Sequence, residues 1–186
     1  DDGPGDPAPG SGSDQDNDHG QDGDGDASEH EIDFEVGKER VKDRMKTLGS
    51  LEEVNHFQDY RHFFCEVVHV KEIEHGVIYG EESYSFDDLI ALRDDNGEDV
   101  LPAFFQAVTL LSSPDIFVKN GMVIYSIVWE QQLDEEWWDD QPGDYEWSNE
   151  DRIYGRLDFE WRFVANNWRL CGISYGGGTS DELKMW

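Results

Sequence analysis

Positive charge is what this chain has least of. Fourteen lysines and arginines stand against 44 aspartates and glutamates, giving a formal charge of −30. A phosphate backbone would be repelled, which excludes nucleic acid as a partner. The same field turns away anionic lipid surfaces and favours divalent cations, basic segments or neutral ligands. Long apolar runs are missing as well, none approaching the roughly 18 residues of a membrane-spanning helix. Cysteine occurs only at Cys65 and Cys171, each beside apolar neighbours such as Phe64 and Leu170. The expectation there is a buried free thiol at each position rather than a disulfide. Motifs that announce common chemistries are lacking: there is no glycine-rich phosphate loop, no nucleophile elbow and no Cys/His cluster with zinc spacing.

Residues 1–31 contain no Lys or Arg, and no large apolar side chain comes before Ile32. Gly, Pro, Asp and Ser dominate, so the segment cannot bury enough apolar surface to offset the entropy of ordering. The expected organisation is a disordered acidic linker over 1–31, an α+β domain over 32–179 and a C-terminal tail over 180–186 without a pattern. Within the linker, Asp22, Asp24 and Asp26, with Asp33 eleven positions after the first, have the oxygen-ligand spacing of a calcium loop. Ala27 stands where that loop needs its turn glycine, and the same acids also read as a solvated spacer.

From Ile32 onward the pattern is helical. Val41, Met45 and Leu48 share one face, predicting a helix over 36–48 that Gly49 ends. Ser50 with Glu53 reads as a capping box for a second helix carrying Leu51, Val54 and Phe57. A strand pair is expected on either side of His75-Gly76. Ser85, three residues before Asp88, predicts a further helix through Leu92, and Val100, Leu101, Phe104, Phe105 and Val108 predict another. Asn120-Gly121 between two apolar runs is a hairpin turn. The second of those runs, Met122 to Trp129, is apolar on both faces and is expected to be a central strand.

The most ordered pattern is Arg156 to Tyr175. Leu157, Phe159, Trp161 and Phe163 alternate with Arg156, Asp158, Glu160 and Arg162, as in a strand buried on one face and wet on the other. Asn166-Asn167 is expected to make the turn, after which Trp168, Arg169 and Leu170 resume an extended run. This unit, through Cys171-Gly172-Ile173, resembles the NTF2-like (cystatin-like, SnoaL-like) family, in which a strand, a polar turn and a second strand of this kind recur. The resemblance covers residues 34–177 and implies an α+β fold, with N-terminal helices packed on a curved antiparallel sheet. The segment from Gln131 to Gly155 is longer than the family's usual connection. Members range from isomerases and dehydratases to binding modules, so the fold does not select a function.

Two sets of residues are candidates for a site. His56, Asp59 and His62 would supply an acid/base pair if they faced a pocket lined by residues such as Tyr60, Phe104 and Trp129, because a carboxylate beside an imidazole sets its tautomer and basicity. A packing or capping role is the alternative. Trp137, Trp138, Tyr145 and Trp147 lie among seven acids. They would either stack on a glycan or grip a basic protein segment, unless the tryptophans fold back onto the sheet. The combined expectation is a non-catalytic binding or structural module of the bacterial cell envelope. Its acidic linker resembles that of a lipoprotein, lipid-anchored at the outer membrane or cell surface through a cysteine that would precede Asp1. The rival readings are an NTF2-like isomerase or dehydratase acting through His56, Asp59 or His62, and a cytoplasmic acidic interaction protein. No cofactor is called for apart from calcium at the aspartates named above.

Overall fold

In the computed structural model, residues 32–110, 113–131, 153–184 and 186 are described. Asp33 starts helix α1 (Phe34–Gly49), its carboxylate accepting from the Glu35 and Val36 amides. Gly37, Val41, Met45 and Leu48 form the buried stripe of that helix. Gly37 is required by close approach, since a Cβ there would lie 2.4 Å from the Trp168 ring. The expected second helix is a 3-10 helix, Val54–Phe63, with Glu53 at its N-cap and no side-chain cap. Ser50 is spent elsewhere: its amide and hydroxyl both donate to the Thr47 carbonyl, closing α1.

Strands β1 (Phe64–Glu74) and β2 (Val77–Ser85) follow, joined at His75-Gly76, where both residues have positive φ. Ser85 and Asp88 form a true capping box at the start of α2 (Phe86–Ala91). The chain then turns back through Asp94 to Gly97 and enters α3 (Val100–Leu110), which buries Leu101, Pro102, Phe105 and Val108. Strands β3 (Asp115–Lys119) and β4 (Met122–Gln131) meet at Asn120-Gly121, again with positive φ at both residues. In the last pair, β5 (Ile153–Val164) and β6 (Asn167–Thr179), the turn is Ala165-Asn166 rather than Asn166-Asn167. Packing decides this: Phe163 stands opposite Trp168 with their rings in contact, while Trp168 also meets Phe34 of α1, and that pairing leaves Asn167 inside the strand. The tail also carries an element that was not expected. Thr179 and Glu182 form a capping box for a short helix α4 (Ser180–Leu183), and Leu183 is buried.

The order of the open six-stranded sheet is β2-β1-β6-β5-β4-β3. Four pairings are antiparallel as expected; the fifth, β1 with β6, is parallel. The cause is the route of the chain. After the β1–β2 hairpin, α2 and α3 carry it to the far edge, and three antiparallel strands then bring β6 back beside β1. β4 is therefore an interior strand, second from the β3 edge, with Val123 to Ile127 buried without interruption. On the inner face Phe64, Phe159, Trp161, Leu170, Val123 and Ile127 pack with Phe57 and Phe105 from the helical side.

The parallel pairing overturns the expectation of free thiols. Phe64 pairs with Leu170, which puts the next residues, Cys65 and Cys171, side by side. They form a disulfide with Cα atoms 5.0 Å apart, a span that suits such a bond. The 106 residues between them hid a contact that depends wholly on topology.

The outer face departs from the simple wet side of an alternating strand. Asp158 is buried there, accepting from Ser126 Oγ at 2.5 Å and from Arg156 Nε and Nη2 at 2.9 and 2.7 Å. Arg156 also donates to the Leu183 carbonyl at 2.6 Å and lies over the Trp186 ring, so the polar row ties α4 to the sheet.

Two stability outcomes follow. Phe159→Ala and Asp158→Ala should each cost about 3–5 kcal/mol in urea melts, the first by leaving a cavity and the second by stranding Arg156, while Glu160→Ala should cost little. Equal losses at Phe159 and Glu160 would contradict the assigned faces. Replacing both cysteines with serine should lower stability by about 2–5 kcal/mol through the freed loop. A double variant that melts like the parent would show that the clasp does not constrain the chain.

Candidate ligand-binding cavity

The helices do not cover the inner face evenly. α1 packs on α3 and on the β3, β4 and β6 part of the sheet, whereas the short α2 packs mainly on β1, β2 and its helical neighbours. Between α2, α3 and the sheet a cavity of about 490 Å³ remains. Leu89, Leu92, Val100, Leu101 and Phe104 supply its helical wall, and Val70, Leu157 and Ile173 its floor. Trp129, Tyr84 and Tyr175 complete the lining, and Tyr175 is 42% exposed. Such a lining suits an apolar molecule, with polar groups confined to one side.

Strand register identifies that side. Val70 stands opposite Glu82 on β2 and Ile173 on β6, and Glu72 stands opposite Gly80 and Tyr175. Directly opposed residues share a face, so Glu72 and Glu82 project on the side that forms the cavity floor. The Tyr84 hydroxyl donates to the Glu82 carboxylate, and this bond, with smaller help from burial, raises the Tyr84 pKa above the ordinary phenol value. Tyr175 is raised too, first by burial and then by the charges of Glu72 and Glu82.

The outer face carries a second, smaller concavity of about 250 Å³, lined by Lys71, Glu160, Arg162, Ser174 and Trp186 among others. Asp158 at its wall is already held by Arg156 and Ser126, which gives that side a structural use.

The structure separates the expected acid/base residues from the cavity. His56, Asp59 and His62 are all exposed on the 3-10 helix, and none of them lines it. Phe104 and Trp129 do line it, but Tyr60 packs instead against Phe63, with ring centroids 5.1 Å apart. Asp33 uses its carboxylate as the cap of α1. Asp22, Asp24 and Asp26 lie outside the described residues, as do Trp137, Trp138, Tyr145 and Trp147. Among the described residues no cluster of three or more His, Cys, Asp or Glu side chains is arranged to hold a metal. Sequence reasoning missed Tyr84, Tyr175, Glu72 and Glu82. Their alternation with Val70 and Ile173 was visible, but which strands they would face was not.

No protein-family model matches the sequence, and no curated protein does. Among solved structures, the chain is similar to the Kfla4162 protein from Kribbella flavida, with 15% identity, a TM-score of 0.40, and coverage of 82% of this chain and 99% of that one. It is also similar to an NTF2-like protein with a cystatin-like fold from Novosphingobium aromaticivorans, with 10% identity, a TM-score of 0.42, and coverage of 82% and 90%.

The tyrosine shifts have a definite sign. A phenol whose folded pKa is raised contributes stability that is complete below the unfolded value, about 10, and is lost as pH rises through the folded value. Tyr84 and Tyr175, and Tyr125 through burial alone, are all raised. Absorbance at 295 nm should show these three ionising late, with unfolding setting in over the same alkaline range. Titration of every tyrosine at the free-phenol value in folded protein would contradict the cavity geometry.

Proposed function

We propose that this chain is a non-catalytic binding module of NTF2-like architecture that holds a small apolar ligand in the cavity between α2, α3 and the sheet, and that it works at the bacterial cell envelope. The observation that carries the binding reading is the cavity itself, walled by aliphatic and aromatic side chains from α2, α3 and five strands. Catalysis would need a base or nucleophile on that wall. The expected candidates His56, Asp59 and His62 are exposed and none lines the cavity, which disfavours an isomerase or dehydratase acting through them. Support for the envelope comes from the Cys65–Cys171 disulfide, because such bonds persist in oxidising compartments and are rare in the cytosol. The same bond disfavours the reading as a cytoplasmic interaction protein.

The cavity is tested with a neutral apolar dye, Nile red, whose emission rises in a dry site. Saturable one-to-one binding is expected, and Leu92→Trp, which fills the cavity from its partly exposed wall, should abolish it while leaving the fold intact by circular dichroism. Absence of saturable binding, or binding unaffected by Leu92→Trp, would overturn this reading. Fractionation of the source cells should recover the chain with the envelope; recovery in the cytosol with both thiols reduced would overturn the location.

A further inference from the structure

Resting on the cavity reading, we propose that the ligand is an amphiphilic cation, its apolar body in the cavity and its ammonium group held at a rim made by Glu72, Glu82, Tyr84 and Tyr175. Two carboxylates, the half-buried Glu72 and the exposed Glu82, stand at the open end of the face that elsewhere carries Phe159 and Trp161. Among the described residues neither Glu72 nor Glu82 has a basic partner. Glu82 receives only the Tyr84 hydroxyl, and the carboxylate of Glu72 lies over Gly80, 3.7 Å from where a Cβ would be.

The two tyrosines add to the selection. Both line the cavity, and they reach its mouth from β2 and β6, one on each side of β1. Phenol faces beside carboxylates form an aromatic and anionic ring, the arrangement that recognises quaternary ammonium groups. Within the same ring an anionic head would meet two like charges, and a neutral head would leave both carboxylates without an ion partner. The chain's excess of acids adds a long-range attraction of the same sign, which physiological salt screens beyond about 8 Å. The rim is therefore distinguished from the general field by working at that salt concentration.

Calorimetric titration at 0.15 M salt with three probes of equal chain length, octyltrimethylammonium, octanol and octyl sulfate, tests the proposal. The cation should bind on the order of tenfold more tightly than the alcohol, with the sulfate weakest. Glu72→Gln/Glu82→Gln should erase the difference between cation and alcohol while keeping the affinity for octanol and Nile red. Tyr175→Leu, which keeps an apolar rim, should weaken the cation alone. Equal affinities for all three probes would overturn the cationic head and leave the cavity reading standing, as would a cation preference that survives the double glutamine variant. Failure of every probe and of Nile red to bind would overturn the cavity reading itself.

Discussion

The parallel contact between β1 and β6 is the joint on which the rest of this fold depends. It is the one pairing that links the N-terminal hairpin to the four-stranded C-terminal part of the sheet. Parallel neighbours cannot be joined by a tight turn, so the contact closes a long stretch of chain and carries a large entropic cost. Two features offset it. The hydrophobic inner face runs without a break across the joint, from Val68 and Phe64 to Leu170 and Ile173. The disulfide then fixes the strands where their register is least regular, between Phe64 and His69. Without the joint Glu72 would have no Tyr175 beside it, and the cavity would lose its floor.

The two faces of the sheet answer different needs. On the inner face, aromatic rings from the 3-10 helix, α3 and β5 interlock, with Phe105 touching Phe57, Phe64 and Phe159. On the outer face, among the described residues, no long helix packs, and the short α4 is held by polar means. Arg156 satisfies Asp158, caps the Leu183 carbonyl and lies over Trp186. A charged pair 12% and 11% exposed contributes little net stability over an apolar alternative, but it fixes geometry, because losing either partner leaves a charge uncompensated.

Local features were legible in the sequence where the physics is local. The spacing of Val41, Met45 and Leu48, the Asn120-Gly121 turn and the Ser85–Asp88 box all act within a few residues, and each appears where expected. Identical signatures failed where a neighbour competed: Ser50 was drawn into closing α1, and the turn after β5 moved by one residue to let Phe163 meet Trp168. The Thr179–Glu182 box was readable by the same rule and was overlooked. The disulfide, the parallel pair and the cavity rim were out of reach, since each joins residues whose adjacency comes from the topology of the whole sheet.

The inward glutamates have a rival explanation that the topology partly removes. β2 is an edge strand, and its Val77, Ile78 and Tyr79 are 64%, 55% and 76% exposed, which invites pairing with another chain. Charged side chains on an edge discourage such pairing, and that role accounts for Glu81 and Glu82. It does not extend to Glu72. That residue lies on β1, bonded to β2 on one side and β6 on the other, where no edge needs protection. An apolar residue opposite Tyr175 and two positions from Val70 would extend the floor of the cavity. The half-buried carboxylate there does not extend it, and departures of local chemistry from the surrounding core mark functional positions.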